Sequence, residues 1–269
     1  MPSPLSRSVL AAGEMENRFR DASDLVERFL MEGSGRSSGS AAAASLHLAA
    51  RTLADLRAGQ HLIGNGFVIQ MASVVRPAVE SINLIELFAK DPTAADRWAT
   101  GENREEFRPV KVRKRLGQEK DPVYSRLCEM SHPRFAGFQL TAYQQVAKDE
   151  EEDAVPVLRT YIGGVPLEFP GVLSATMLPG DVLCLFSVQL EHVPVKPEVA
   201  WTWATVVRQV HETLRPGYEA VLHVLGEHAE DTDLAQGMLE SLDRAMGHVR
   251  DLEAIVVENR QRQERQGPA

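Results

Sequence analysis

The chain has 269 residues, of which 43% are hydrophobic and 25% are charged, and its formal net charge is −9. Such a chain can bury a full core as one large domain or two small ones, and its acidity argues against nonspecific nucleic-acid binding by the whole surface. Its two cysteines, Cys128 and Cys184, exclude a disulfide framework and a thiolate metal site, so we predict a reducing, cytoplasmic setting.

The apolar stretches predict a soluble protein without a membrane span. The N-terminal sequence lacks the uninterrupted apolar core of a signal peptide. The most apolar later run, GVLSATMLPGDVLCLFSVQL, has Pro179, Gly180 and Asp181 in its middle. No phosphate-binding, dinucleotide-binding or nucleophile-elbow motif occurs, so we expect no small-molecule cofactor.

The N-terminal part predicts a helical arm over residues 1–32. Apolar residues recur at helical spacing over 5–31, and the linker-like GSGRSSGS follows at 33–40. This pattern leaves open whether the arm stays detached or folds back onto the rest of the chain.

Two further helices are predicted over 41–58 and 67–90. Ser40 is the expected N-cap of the first, and Gly59 its expected end. The second has the most regular apolar spacing in the chain, and Pro77 within it predicts a kink or break near Arg76.

The central region predicts a series of short helices packed on the long one. DPTAADRWATG and DPVYSRLCEMSH both open with Asp-Pro, a pair in which Asp caps the helix and Pro takes its first position. Between them we expect a basic helix over 109–116 that ends at Gly117.

The fold class that follows is mainly α: a helical bundle with a small β-hairpin insertion and a long C-terminal helix. Two alternating segments predict the hairpin near 138–162. We assign 41–260 to the helical domain and 261–269 to a disordered tail. The later predicted helices cover 172–192 (interrupted at Pro179), 198–214, 217–228 and 232–260.

Glu129 and His132 form the first candidate site. Three residues apart on a helix, they share one face with Arg126. A carboxylate beside an imidazole can bind a metal, orient a general base or form a simple ion pair. The structural alternative is a helix that ends before Pro133, with His132 favoured at its C-terminus by the helix dipole.

Two more groups of polar residues are candidates. Arg76 and Glu80 are spaced to meet on one face of a mostly apolar helix, either as a water-facing ion pair or as an interior network that includes Glu129 and His132. The basic segment is expected to contact phosphate groups of RNA or to form a solvated face balanced by acidic neighbours. Its cations are Arg108, Lys111, Arg113, Lys114 and Arg115.

The run from about 76 to 133 resembles a group of bacterial helical domains of unknown function. The matching features are R-P-A-V-E-S-I-N-L, a Trp within D-P-T-A-A-D-R-W, a basic helix and Y-S-R-L-C-E-M-S-H-P. The resemblance implies a helical architecture and suggests that Tyr124, Glu129 and His132 matter together. It implies no reaction.

Arg126 and His132 also resemble the R-x(4–6)-H motif of HEPN-type ribonucleases, helical-bundle proteins whose active site is completed by dimerisation. The residue after the arginine is usually polar in that family and is Leu127 in this chain. The resemblance implies that His132 is the general acid and base and that Arg126 stabilises the phosphate.

The sequence therefore leaves three functions open. The first is a non-catalytic interaction or scaffold module that forms a homodimer. The second is a HEPN-like, metal-independent endoribonuclease that binds RNA and uses Arg126 and His132, with Glu129 and Tyr124 beside them. The third is a metal-binding bundle, which has only one Glu-x-x-His pair, with Glu80 and Glu86 as further carboxylates.

Overall fold

The protein is mainly α-helical. The computed structural model describes residues 4–34, 39–119, 121–131, 142–146, 156–160, 167, 170–228 and seven positions between 247 and 258. Within these residues the helices, numbered in chain order, are α1 (Pro4–Gly33), α2 (Ser40–Gly64), α3 (Val68–Lys90), α4 (Pro92–Thr100), α5 (Pro109–Leu116), α6 (Pro122–Ser131), α7 (Pro170–Ala175), α8 (Leu178–Gln189), α9 (Pro197–Ala200) and α10 (Trp203–His228). Short 3-10 turns cover Arg104–Phe107 and Leu190–His192, and the strands are β1 (Ala142–Val146) and β2 (Pro156–Thr160).

The N-terminal helix folds back and packs against the bundle. Its most extensive contact is with α10, and it also lies against α2. Met15, Phe19, Ala22 and Val26 form a buried stripe whose spacing of three and four residues keeps them on one side of α1. Of the two arrangements that the sequence leaves open for this helix, the structure shows the docked one.

The predicted end of α2 at Gly59 is wrong, because the helix continues to Gly64. Gly59 is buried and faces α3, where a Cβ built on it would collide with the Cγ2 atom of Val75. The missing side chain therefore lets α2 and α3 approach closely. The turn after α2 is made by Gly66 instead, whose φ of 77° lies in the left-handed region.

Two prolines lie inside helices that remain continuous. Of the kink or break predicted near Arg76, the break does not occur, because α3 runs from Val68 to Lys90 through Pro77. The predicted helices over 198–214 and 217–228 are likewise mostly one helix, α10, which passes through Pro216. Proline removes one backbone hydrogen bond, and the buried side chains before and after it hold the helix together. In α10 these are Val207, Val210, Leu214, Tyr218 and Val221.

Both Asp-Pro helix starts are confirmed. The Asp91 carboxylate accepts a hydrogen bond from the backbone N–H of Ala94, at 3.2 Å. Asp121 accepts from the backbone N–H groups of Val123 and Tyr124, at 2.9 and 3.1 Å. The basic helix is also confirmed over 109–116, and Gly117 ends it with a φ of 73°.

The apolar stretch Gly171–His192 is the one described segment long and apolar enough to cross a membrane, with a mean hydropathy of 1.6. In its most apolar window, 67% is buried inside the protein. The segment is divided into α7, α8 and a 3-10 turn, with the interruption two residues before Pro179. A buried core helix of a soluble protein passes the same test of length and composition, so the cytoplasmic setting stays a prediction.

The predicted hairpin and C-terminal helix fall largely outside the described residues. Strands β1 and β2 pair antiparallel, with Ala142 opposite Thr160. Their connection and flanks lie outside the described part of the chain, so a hairpin insertion near 138–162 stays a prediction. The same holds for the continuous helix over 232–260 and for the domain bounds, although Val256 packs against the core.

The substitution Gly59→Ala tests the close approach of α2 and α3. We expect it to lower the free energy of unfolding by about 1–3 kcal/mol, because Val75 is β-branched and cannot easily turn away from the added methyl group. Gly13→Ala is the matched control, since a Cβ at Gly13 in α1 meets no atom within 4 Å. It should raise the same free energy by about 0.5–1 kcal/mol.

Urea unfolding followed by circular dichroism measures both effects. The double variant Gly59→Ala with Val75→Ala should lose less stability than the sum of the single losses, since it removes the atom that collides. Equal stability of Gly59→Ala and Gly13→Ala would contradict the close approach.

Candidate functional site

The candidate residues of α6 divide between a buried and an exposed side. Tyr124 and Leu127 are buried, and α6 packs on α3 through this side. Arg126 and Glu129 are exposed, as expected for residues three positions apart on one face. His132 lies outside the described residues, so the predicted Glu129–His132 and Arg126–His132 pairs stay predictions.

A polar network joins α3 to both ends of α6. The Tyr124 hydroxyl donates to Glu80 Oε1 at 2.9 Å. Arg76 Nε lies 3.6 Å from the same oxygen, and Arg76 Nη1 donates to the Ser131 hydroxyl at 3.4 Å. The Arg76 and Glu80 side chains are 30% and 27% exposed, so their ion pair is neither fully buried nor free in water. The network includes Tyr124, whereas the Glu129 side chain forms no hydrogen bond with a described residue.

Tyr124 is a structural clamp in this network. The Arg113 guanidinium of α5 lies over its ring, 3.9 Å from the centroid, a cation–π geometry. Burial, followed by the negative charge of Glu80, raises the pKa of Tyr124 above its usual value. The phenol therefore stays protonated near neutral pH and donates a hydrogen bond to Glu80. Tyr124 thereby ties together α3, α5 and α6.

Acidic neighbours neutralise much of the basic helix α5. Arg108 and Lys111 both pair with Glu105, at 2.6 and 3.8 Å, and Arg115 pairs with Asp91 at 2.9 Å. The Thr93 hydroxyl and then the Arg115 guanidinium lower the pKa of Asp91 to about 2. Lys114 is exposed and forms no ion pair with another described residue. The positive surface available to a phosphate backbone is thus smaller than the sequence suggests.

Sequence analysis missed a second polar cluster, on α8 and α10. The Tyr218 hydroxyl donates to Asp181 Oδ1 at 2.8 Å, and burial raises the pKa of the neighbouring Cys184 thiol. Burial also raises the pKa of Asp181 to about 6, against the Tyr218 hydrogen bond and the positive charge of Arg126, which lower it. The one sign of this cluster in the sequence is Asp181, a single charged residue inside an apolar run.

Arg126 connects this cluster to the predicted site. Its Nη2 atom also donates to the Ser174 hydroxyl, at a long 3.5 Å. The positive charge of this candidate arginine therefore acts on the Asp181 carboxyl group, whose pKa is about 6. When Asp181 takes up a proton, its negative charge is lost, and the electrostatic potential around Arg126 becomes more positive.

Among the described residues, no group of three or more His, Cys, Asp and Glu side chains converges to hold a metal ion. Glu80 accepts from Tyr124, while Glu86 pairs with Lys90 at 2.6 Å and accepts from Gln118 at 2.7 Å. The buried His211 places Nδ1 at 2.8 Å from the Val207 carbonyl oxygen, and burial lowers its pKa, so it is a neutral core histidine that donates there. A metal site would need ligands from beyond the described residues.

The Asp181–Tyr218 pair predicts a pH dependence of stability. The pKa of Asp181 in the folded protein, about 6, lies above the ordinary value of 3.8, so the folded state favours the protonated carboxyl. The associated stability is present at low pH and is lost as the pH rises through about 6. Between about pH 4 and pH 7 this loss should be on the order of 1–3 kcal/mol in the free energy of unfolding.

Urea unfolding across this pH range, compared between the wild type and Asp181→Asn, isolates the contribution of the carboxyl group. The variant should lack this loss, while Tyr218→Phe should move it to higher pH, because the hydroxyl that lowers the pKa is gone. An identical pH profile for the wild type and Asp181→Asn would contradict the prediction.

The resemblances of the 76–133 region and of the Arg126–His132 spacing remain predictions. Comparison of the chain with protein-family models, with curated proteins and with solved structures finds no match.

Proposed function

We propose that the protein is a non-catalytic helical interaction module that acts as a homodimer. The described candidate residues support this role because most of them are engaged in contacts that hold helices together. Tyr124 clamps three helices, Arg76 and Glu80 tie α3 to α6, and the basic helix is largely paired with acidic neighbours.

A groove between α3 and α8 carries the proposal. It has a volume of about 400 Å³ and is bordered by the turn between α5 and α6. Leu185 and Val188, three residues apart on α8, are 43% and 37% exposed at its edge, and Val79 and Ile82 of α3 line its other side. Neighbouring exposed apolar side chains at a groove are typical of surfaces that bind a partner helix.

The occupant that we propose is helix α5 of a second copy. Glu86 and Asp121 line the groove, and because Glu86 is already paired with Lys90, its acidic edge comes from Asp121. In α5, Val110 is 61% exposed, and Lys114 lies one turn further on the same face. An apolar residue beside a cation complements an apolar groove with an acidic edge.

The chain order also favours a symmetric pairing. Gly117 and Gln118, which line the groove, directly follow α5 in the sequence. A two-fold axis beside this turn would place α5 of each copy on the groove of the other. Such an isologous contact is the commonest arrangement in homo-oligomers.

Analytical ultracentrifugation of matched variants tests the dimer. The wild type should dimerise, and Val188→Asp should weaken the dimer at least tenfold, because it places a carboxylate in the apolar part of the groove. Val110→Asp should have an equal effect from the other side of the contact. The control Val9→Asp changes a residue of α1 that is 49% exposed and does not line the groove, and it should leave the dimer intact.

The same experiment can refute the proposal in two ways. A wild type that stays monomeric at 100 µM would overturn it. A dimer that tolerates both Val188→Asp and Val110→Asp would place the contact elsewhere on the molecule.

A second candidate function is a HEPN-like, metal-independent endoribonuclease. It is favoured by the exposed Arg126, which makes only a long hydrogen bond to Ser174 and no ion pair with another described residue. Such a guanidinium is available to a phosphate. In this function His132 acts as the general acid and base for attack by the ribose 2′-hydroxyl, and α5 guides the RNA.

Cleavage of RNA by the purified protein in EDTA tests this second function, because EDTA silences metal-dependent contaminants. If it holds, His132→Ala should reduce cleavage at least 100-fold while its circular dichroism spectrum stays unchanged. His47→Ala, a change of an exposed histidine on α2, should cleave as the wild type does. No cleavage by the wild type would eliminate the ribonuclease.

A further inference from the structure

The groove between α3 and α8 is lined by two stripes of residues at helical spacing. On α3 the stripe is Val79, Ile82, Asn83 and Glu86, and on α8 it is Leu185, Val188 and Gln189. Residues three and four positions apart lie on one face of a helix, so each helix turns such a face toward the groove. Two faces of this kind form a groove of the type that binds an amphipathic helix.

Asn83 is the unusual residue of the α3 stripe. It is 5% exposed, and its side-chain amide forms no hydrogen bond with a described residue. The fully enclosed polar atoms without a partner include Oε1 of Gln189 but neither amide atom of Asn83, so the Asn83 amide is accessible from the groove. Glu86, one turn further on, is already engaged by Lys90 and Gln118. Asn83 is therefore a buried groove residue whose hydrogen-bonding groups are available to an occupant.

A buried amide in this position discriminates between occupants of the groove. An occupant displaces solvent, and an amide that loses its solvent contact without gaining a new hydrogen bond is destabilised. An apolar side chain opposite Asn83 is therefore disfavoured, whereas a side chain that donates or accepts a hydrogen bond is favoured. In coiled coils, a single asparagine in an apolar seam selects the partner and the register in this way.

Helix α5 carries a polar group at a spacing that matches the groove. Val110 is its exposed apolar residue, and Lys114, four positions later, is exposed and forms no ion pair with another described residue. In α3 the same spacing separates Val79, in the apolar part of the groove, from Asn83. For two helices that run in the same direction, packing Val110 against Val79 therefore places Lys114 opposite Asn83.

We propose that Asn83 determines the specificity of the dimer by accepting a hydrogen bond from Lys114 of the second copy. The inference rests on the proposed dimer, in which α5 of each copy enters the groove of the other. The ammonium group has three donors, so one can bond to Asn83 Oδ1 while another pairs with Asp121 at the groove edge. The groove then rejects apolar helices of other proteins, and it rejects α5 in a shifted register.

A double-mutant cycle measured by analytical ultracentrifugation tests this pairing. Lys114→Met removes the donors and should raise the dissociation constant of the dimer at least tenfold, because an apolar side chain then faces the amide. Asn83→Leu should weaken the dimer to a similar extent, because the ammonium group loses its acceptor. The double variant should dimerise within about threefold of the wild type, since two apolar side chains then face each other.

Lys196→Met is the matched control for the lysine substitution. Lys196 is exposed and lies outside both the groove and α5. Its substitution should leave the dissociation constant unchanged, and combining it with Asn83→Leu should give only the effect of Asn83→Leu.

The failure of this inference is distinguishable from the failure of the dimer. A monomeric wild type, or a dimer that tolerates both Val188→Asp and Val110→Asp, overturns the proposed dimer and this inference with it. If those two variants weaken the dimer while the effects of Asn83→Leu and Lys114→Met simply add, only the pairing is overturned.

Thermal unfolding of the monomer checks that Asn83 has no internal role. In the Val188→Asp background, Asn83→Leu should melt at or above the temperature of its parent, because it removes no hydrogen bond within the described chain. A clearly lower melting temperature would show that Asn83 stabilises the monomer, and it would overturn the inference as well.

Discussion

The bundle depends on the close packing of Met15 against two glycines, Gly180 and Gly217. A Cβ on Gly180 of α8 would lie 2.7 Å from Met15 Cε and 2.7 Å from the Tyr218 hydroxyl. A Cβ on Gly217 of α10 would lie 3.0 Å from Met15 Cα, a backbone atom that cannot rotate away. The absent side chains let α1 sit against both helices, and they leave the Tyr218 hydroxyl room to reach Asp181. The core and the buried polar pair therefore depend on the same packing.

The sequence predicts the two Asp-Pro helix starts better than it predicts where α2 ends or whether a helix continues through a proline. Asp91 and Asp121 each precede a proline, a local arrangement whose effect does not depend on the rest of the fold. Gly59 and Pro216 are each compatible with two different local structures. A glycine ends a helix or admits a neighbouring helix, and a proline stops a helix or is carried by the packing around it. Only the tertiary contacts decide, and those contacts are not local in sequence.

The polar clusters also differ in whether they depend on local spacing or on tertiary contacts. The pairing of Arg76 with Glu80 follows from helical spacing, and so does the shared exposed face of Arg126 and Glu129. The neutralisation of Arg115 by Asp91 and the bond of Tyr218 to Asp181 join residues 24 and 37 positions apart, which periodicity cannot reveal. Gln60 of α2 is buried, although a glutamine on a helix is ordinarily exposed, and nothing in the sequence signals its burial.

The pairing of α1 with α10 has a consequence for the order in which the protein folds. These helices lie at opposite ends of the described bundle in sequence, about 200 residues apart. Ribosomes add roughly 5–20 residues per second, so the apolar stripe of α1 waits about 10–40 s for its main partner to be made. Helices α2 and α3, which are adjacent, can pair long before that. Helix α1 is thus made well before α10 but is among the last of the described helices to be placed, and a nascent chain that stops before residue 203 would still expose it to chaperones and proteases.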